Sequence, residues 1–235
     1  SNDSGATERI ALSYGDKINY YYKENGGVST ALNFGIAKMK GEWFSWLSHD
    51  DIYMPDKIKS AIEEINNKNL DIENTIISCN SSLINANGEK FFRPKIFHAG
   101  YFSGRNMYKN LFNGKNLNGC ALLIPSKVLY EDGEFSIEYR YIQDLDYWVN
   151  QAYKGRCFYL YNKELVKTRV HKNQGQKKLI DLYPKENLNF LNKLLNKYGS
   201  NVIKNSYYIK IILFYRCTKI KDKEIRKKYI KKLKE

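Results

Sequence analysis

The 235-residue sequence lacks the features that mark several common protein classes. Its four cysteines, Cys79, Cys120, Cys157 and Cys217, are widely scattered, with no Cys-x-x-Cys pair and no histidine at metal-ligand spacing. That pattern argues against a zinc ribbon or a disulfide scaffold. Cys79, Cys120 and Cys157 lie within apolar runs, the usual setting of a small buried hydrophobe. No stretch approaches the roughly 18–20 apolar residues of a bilayer-spanning helix. The opening residues Ser1, Asn2, Asp3, Ser4 and Gly5 have neither the basic start nor the apolar core of an export signal. Internal repeats are missing, as is any linker rich in Gly, Pro or Ser. Together these absences lead to the expectation of a soluble, cytoplasmic chain.

What the sequence does hold is enough apolar material for a packed core, 43% hydrophobic and 14% aromatic. The formal net charge of +14 is its compositional oddity, and much of it lies between residues 219 and 234. A basic tail of this kind fits nucleic acid, an anionic membrane surface or a solvated lysine-rich helix. No nucleic-acid motif accompanies it, which makes nucleic acid the weakest of the three.

Periodicity organises the first third of the chain. Residues 6–14 have helical spacing, and residues 18–22 (INYYY) are rich in strand formers. A Glu24-Asn25-Gly26-Gly27 turn precedes a helix with Ser29 as N-cap and Leu32, Ile36 and Met39 on one face. Residues 42–47 (EWFSWL) read as a strand running into the core. Pro55 then fits the first turn of a helix whose Ile58, Ile62 and Ile65 recur at helical spacing. This alternation predicts βαβ crossovers and a parallel sheet. Residues 74–83 and 90–93 predict a hairpin around Asn85-Ala86-Asn87-Gly88, and residues 95–118 read as irregular. Next come a short strand at 121–124, a helix at 144–153 and strands at 157–160 and 165–170. From about Leu179 the pattern is helical, including 209–215.

In open α/β sheets, ligands gather at the carboxyl ends of strands, and Asp50-Asp51 stands at such an end. Adjacent carboxylates repel unless something bridges them, and a divalent cation on diphosphate oxygens would do so. A helix cap or a turn hydrogen bond explains the pair equally well. His171, just after a strand, can be a metal ligand or a surface hydrogen-bonding residue, and His98 reads as structural.

Three blocks in order carry a resemblance. The first runs from Asn25-Gly26-Gly27-Val28-Ser29-Thr30 through Asn33 to Gly41-Glu42 and Ser48-His49-Asp50-Asp51, then Pro55-Asp56-Lys57-Ile58. The second joins Gly119-Cys120-Ala121-Leu122-Leu123-Ile124-Pro125 to Gly133-Glu134-Phe135 and Gln143-Asp144-Leu145-Asp146-Tyr147-Trp148. The third is Arg169-Val170-His171-Lys172-Asn173-Gln174. The chain resembles the family two glycosyltransferases, inverting enzymes of the GT-A fold. The resemblance implies an α/β fold with a mixed central sheet flanked by helices over residues 1–176, and a basic helical C-terminal extension over 177–235.

Position by position, Asp50 matches the last residue of the family's DxD motif, with Ser48 and His49 at the first two places. It becomes a ligand of Mg²⁺ or Mn²⁺, with His171 as a second. Asp144 matches the Asp of the family's ED motif, behind Gln143, and becomes the general base. Asp146 is its nearest rival, and the macrodipole of the following helix accounts blandly for both acids. Asn25, Gly26, Gly27 and Asn33 match the nucleotide side, where Arg169 and His171 would meet the diphosphate. Gly119, Cys120 and Trp148 match the acceptor side. Ser1 and Asp3 match the end of the family's D-D-G-S-x-D turn, which makes Asp3 a nucleotide contact. The family's first β-α-β segment, roughly 35–40 residues, would then lie ahead of Ser1.

The function implied is sugar transfer from a nucleotide-diphosphate sugar, UDP-linked, to a glycan or lipid-linked acceptor in cell-surface polysaccharide assembly. The basic end would touch the inner face of the membrane. Ser48 also supports a second reading, a non-catalytic carbohydrate- or membrane-associated module that keeps the fold.

Overall fold

A computed structural model of the chain describes residues 5–91, 97–112, 115–172, 174–204 and 223–234. The expectations placed on Asp3, Asn173, Cys217, residues 92–93 and the helix at 209–215 fall outside them.

Among the described residues, seven strands form one mixed sheet, with the order β1 (Trp43–Phe44), β6 (Leu122–Pro125), β3 (Thr75–Ile84), β7 (Cys157–Arg169) and β2 (Ile52–Tyr53). Beside them, β4 (Lys90–Phe91) pairs with the end of β3, and β5 (Gly100–Phe102) pairs with the start of β7. The long strands β3 and β7 run parallel, and every other pairing is antiparallel. The sheet is therefore mixed, not the parallel sheet that alternation predicts for the first third. The reason is length: β1 and β2 have two residues each and are joined by a short loop rather than a helix.

β3 is buried along most of its length because both faces are covered. Ile76 faces one core with Leu122, Ile124 and Phe158, while the next residue, Ile77, faces the other with Cys79, Leu123 and Val166. The first core is roofed by α2 (Val28–Lys38), α4 (Gly104–Phe112), α5 (Ser126–Asp132), α6 (Gln143–Tyr153) and α8 (Tyr183–Lys204). The second is covered by α3 (Lys57–Lys68), through Ala61 and Ile65. α1 (Ala6–Leu12) and the short α7 (Gly175–Lys178) lie outside both cores. The basic α9 (Lys223–Lys234) rests Ile225 and Ile230 against the first core. α8 buries Phe190 and Leu194 there too, so residues beyond 176 share a core with the sheet.

Several local expectations change. Residues 18–22 form no strand and leave Tyr22 76% exposed. Gly27, not Ser29, caps α2, in a left-handed conformation (φ 89°) that suits glycine; Ser29 is buried inside the helix. α3 turns Ile58 and Ile62 outward and buries Lys57, Ser60, Ala61 and Ile65. The irregular stretch contains β5 and α4, and the two predicted late strands are one 13-residue strand, β7, whose pairing with β3 shifts register around Asn80.

Candidate active site

The loop between β1 and β2 is tied down from three sides. Beneath it, buried Lys57 donates to Ser45 Oγ (2.8 Å) and lies 4.3 Å from the centre of the Tyr53 ring, while the Tyr53 hydroxyl bonds the Trp46 carbonyl. Burial holds the Lys57 ammonium below its ordinary pKa. In the middle, Ser48 N–H and Oγ sit 3.3 and 3.4 Å from Cys120 Sγ. Above, β2 runs antiparallel to the end of β7 and delivers Arg169 to the loop. The Arg169 N–H donates to Asp51 Oδ1 (2.9 Å), its Nε to the Asp50 carbonyl (3.1 Å), and its Nη1 to the Asn85 and Ala86 carbonyls (3.1 and 3.0 Å). Arg169 is thus a staple between this loop and the β3–β4 turn. Asp51 faces inward, where burial raises its carboxyl above the ordinary range against the Arg169 and Cys120 hydrogen bonds.

Asp50 points the other way. Its Oδ2 lies 3.0 Å from His171 Nε2, across 121 residues of sequence. Their side chains are 16% and 24% exposed, so the pair is open to a ligand.

A second group forms at the start of α6. Asp144 accepts the Leu145 N–H at Oδ1 (2.7 Å) and the Asn116 amide at Oδ2 (3.5 Å). Burial pushes its carboxyl up to about 6, against those two hydrogen bonds. Asp146 differs: it is 2% exposed and both its oxygens pair with Lys193 on α8 (2.8 and 3.0 Å). A carboxylate so engaged is a counter-ion, which separates it from Asp144.

The segment 116–120 joins the two groups. Asn116 touches Asp144, the Asn118 amide donates to Thr168 Oγ1 (2.8 Å) beside Arg169, and Cys120 holds Ser48. A Cβ on Gly119 would overlap the Trp46 indole, which stacks on Trp148 at 6.0 Å and 11°. Glycine is needed there for close packing.

Known proteins supply the frame for this geometry. The sequence profile described as Glycosyl transferase family 2 matches residues 1–127. The chain belongs to that family. An uncharacterized glycosyltransferase of Rickettsia conorii is 41% identical over 179 residues, 76% of this chain and 29% of the relative. Another from Rickettsia typhi is 42% identical over 170 residues, 72% of this chain and 52% of the relative. The chain therefore spans about half, or less, of these relatives. Among solved structures, S. aureus TarS 1-349 superposes with a TM-score of 0.57 at 12% identity, covering 99% of this chain and 58% of that one. The same protein in complex with UDP-GlcNAc gives 0.57 at 13% identity, covering 96% and 71%. At this identity the likeness is one of fold, the GT-A fold.

In this family 2 chain the residues singled out from sequence fall into distinct settings. Asp50 and His171 meet, while Asp144 lies at the other end of the 116–120 bridge. Asn25 accepts the Gly27 N–H (3.0 Å) and shapes the turn before α2, where Gly27 lies beside Arg140. Asn33, expected on the nucleotide side, is spent elsewhere: its amide donates to the Phe135 carbonyl and accepts the Phe135 N–H, both at 2.9 Å and buried. Cys120 and Trp148, expected to face an acceptor, are 3% and 0% exposed. Burial pushes the Cys120 thiol up to about 11, so it stays protonated.

Asp50 and His171 suit a divalent cation as one carboxylate and one imidazole, with diphosphate oxygens and water completing the shell. No cluster of three or more His, Cys, Asp or Glu gathers among the described residues, so the protein's share would be these two. Sequence reasoning passed over Asn116, Asn118 and Trp46. The polar run around Gly119 was the available signal for the two asparagines; Trp46 had none.

Proposed function

We propose that this family 2 glycosyltransferase moves a sugar from a UDP-linked donor to a hydroxyl of a glycan or lipid-linked acceptor, with inversion, in cell-surface polysaccharide biosynthesis. The Asp50–His171 contact carries the reading, because two residues assigned separately to a metal meet at 3.0 Å. Mg²⁺ or Mn²⁺ held there would supply charge neutralisation for the diphosphate leaving group. Asp144 takes the acceptor proton. A carboxyl poised near 6 is ionised at neutral pH and more basic than an ordinary aspartate. The acceptor oxygen bonds the anomeric carbon as the bond to the diphosphate oxygen breaks on the opposite face, which inverts the centre. UDP is the nucleotide chosen because TarS, which shares the fold, was solved with UDP-GlcNAc. The lysine-rich α9 would rest on the anionic inner face of the membrane.

Calorimetry of UDP binding with and without Mn²⁺ tests the donor side. Asp50→Ala and His171→Ala should each weaken the Mn²⁺-dependent component at least tenfold and leave metal-free binding unchanged. Wild-type affinity in both variants would refute the metal assignment.

A further inference from the structure

The entry to α6 is held by an anion from a distant helix. Glu186 on α8 is 7% exposed, and its carboxylate accepts three successive backbone N–H groups, those of Arg140 (2.9 Å), Tyr141 (2.9 Å) and Ile142 (3.1 Å). Ile142 is the residue that caps α6, and its own side chain cannot accept a hydrogen bond. Ile142 N–H is one of the donors that a helix start leaves without an intrahelical partner, the Arg140 and Tyr141 N–H groups belong to the segment leading into it, and a carboxylate accepting all three makes strong, charge-assisted bonds.

Glu186, Phe190 and Lys193 recur at i, i+4 and i+7, on one face of α8. Phe190 packs edge-on against Tyr139 at 6.3 Å, and Lys193 pairs with Asp146 one turn into α6 while lying 5.4 Å from the centre of the Tyr139 ring. Asp144 therefore sits between two fixed points, residues 140–142 on one side and Asp146 on the other. All of this lies outside the residues matched by the family profile.

We propose that Glu186 is a positioning residue for transfer: by fixing residues 140–142 it sets where the Asp144 carboxylate leaves α6, with the Lys193–Asp146 pair as the second anchor. The proposal rests on Asp144 acting as the base. α8 is then part of the catalytic machinery without touching the reacting atoms.

Glu186→Gln tests it, since the amide keeps the volume but replaces one accepting oxygen with a donor facing backbone N–H groups. In the purified protein, the expected result is a fall in kcat of tenfold or more, donor KM within twofold of wild type, and faster hydrogen exchange at residues 140–142. Glu186→Asp should recover part of the loss. A kcat within twofold of wild type despite faster exchange would overturn the proposal, and so would a fall in kcat that only tracks loss of folded protein. Should Glu186→Gln fail to fold, the Asp146→Asn, Lys193→Gln double variant applies the same criterion at the second anchor. Asp144→Asn is measured in parallel. If it retains turnover, the base reading fails and the proposal with it, an outcome distinct from an inactive Asp144→Asn beside an unaffected Glu186→Gln.

Discussion

Replacing Asp144 with Asn should separate activity from stability in opposite directions. In the folded chain the carboxyl is raised from 3.8 to about 6, so its ionised form is disfavoured at pH 8 by about 3 kcal/mol at the usual 1.4 kcal/mol per unit. The sign follows from linkage: a folded pKa above the unfolded one means that folding favours the proton. Wild-type stability from this group is therefore complete below pH 3.8 and is lost as pH rises through about 6. Asn carries no charge to desolvate and can still accept the Leu145 N–H. It gives up the Asn116 hydrogen bond, about 1 kcal/mol, and partial exposure of the site trims the gain further. A net stabilisation of about 1–2 kcal/mol at pH 8 corresponds to a rise of roughly 2–8 °C for a chain of this size. Near pH 4.5 the difference should shrink towards zero. Transfer should fall by about 10²–10⁴, while wild-type kcat should lose about tenfold per unit below pH 6. Thermal melts at the two pH values, with turnover at pH 8, check both halves. Turnover within threefold of wild type would refute the base assignment, and a melting difference independent of pH would refute the burial argument.

Asn33→Leu strips both hydrogen bonds from the buried Phe135 backbone and should cost about 2–4 kcal/mol. Its UDP affinity should stay at wild type, whereas a direct nucleotide contact would show as weakened binding in the same titration. Sedimentation with vesicles should show salt-sensitive binding to anionic but not zwitterionic lipid, at about 1 kcal/mol per lysine near the surface. Lys227→Glu with Lys231→Glu should reduce it, both residues being exposed on α9; equal binding to neutral vesicles would refute membrane contact through charge.

Local pattern carries part of this molecule well. The run NTIISCNSSL announces a strand because its apolar residues are continuous enough to be buried on both faces, and β3 is that strand. Gln143–Tyr153 and the turn at Asn85–Gly88 are equally plain, since helical spacing and turn chemistry are properties of neighbours along the chain. The order of the three motif blocks also marks the family before any fold is known. Strand direction was not legible in the same way. Two-residue strands such as β1 and β2 take their orientation from β6 and β7, partners 80 or more residues away.

The sequence by itself determined the family, the elements α2, α3, α6 and β3, and the identity of Asp50, His171 and Asp144 as candidates. Tertiary structure alone decided which of them meet. It put His171 on Asp50, turned Asp51 inward to Arg169, buried Asn33, Cys120 and Trp148, and gave Asp146 to Lys193. It also brought Glu186 under α6. The physical reason is common to all of these: a polar or aromatic side chain takes its role from the partner it bonds or packs against, and these partners stand 44 to 121 residues away in the chain.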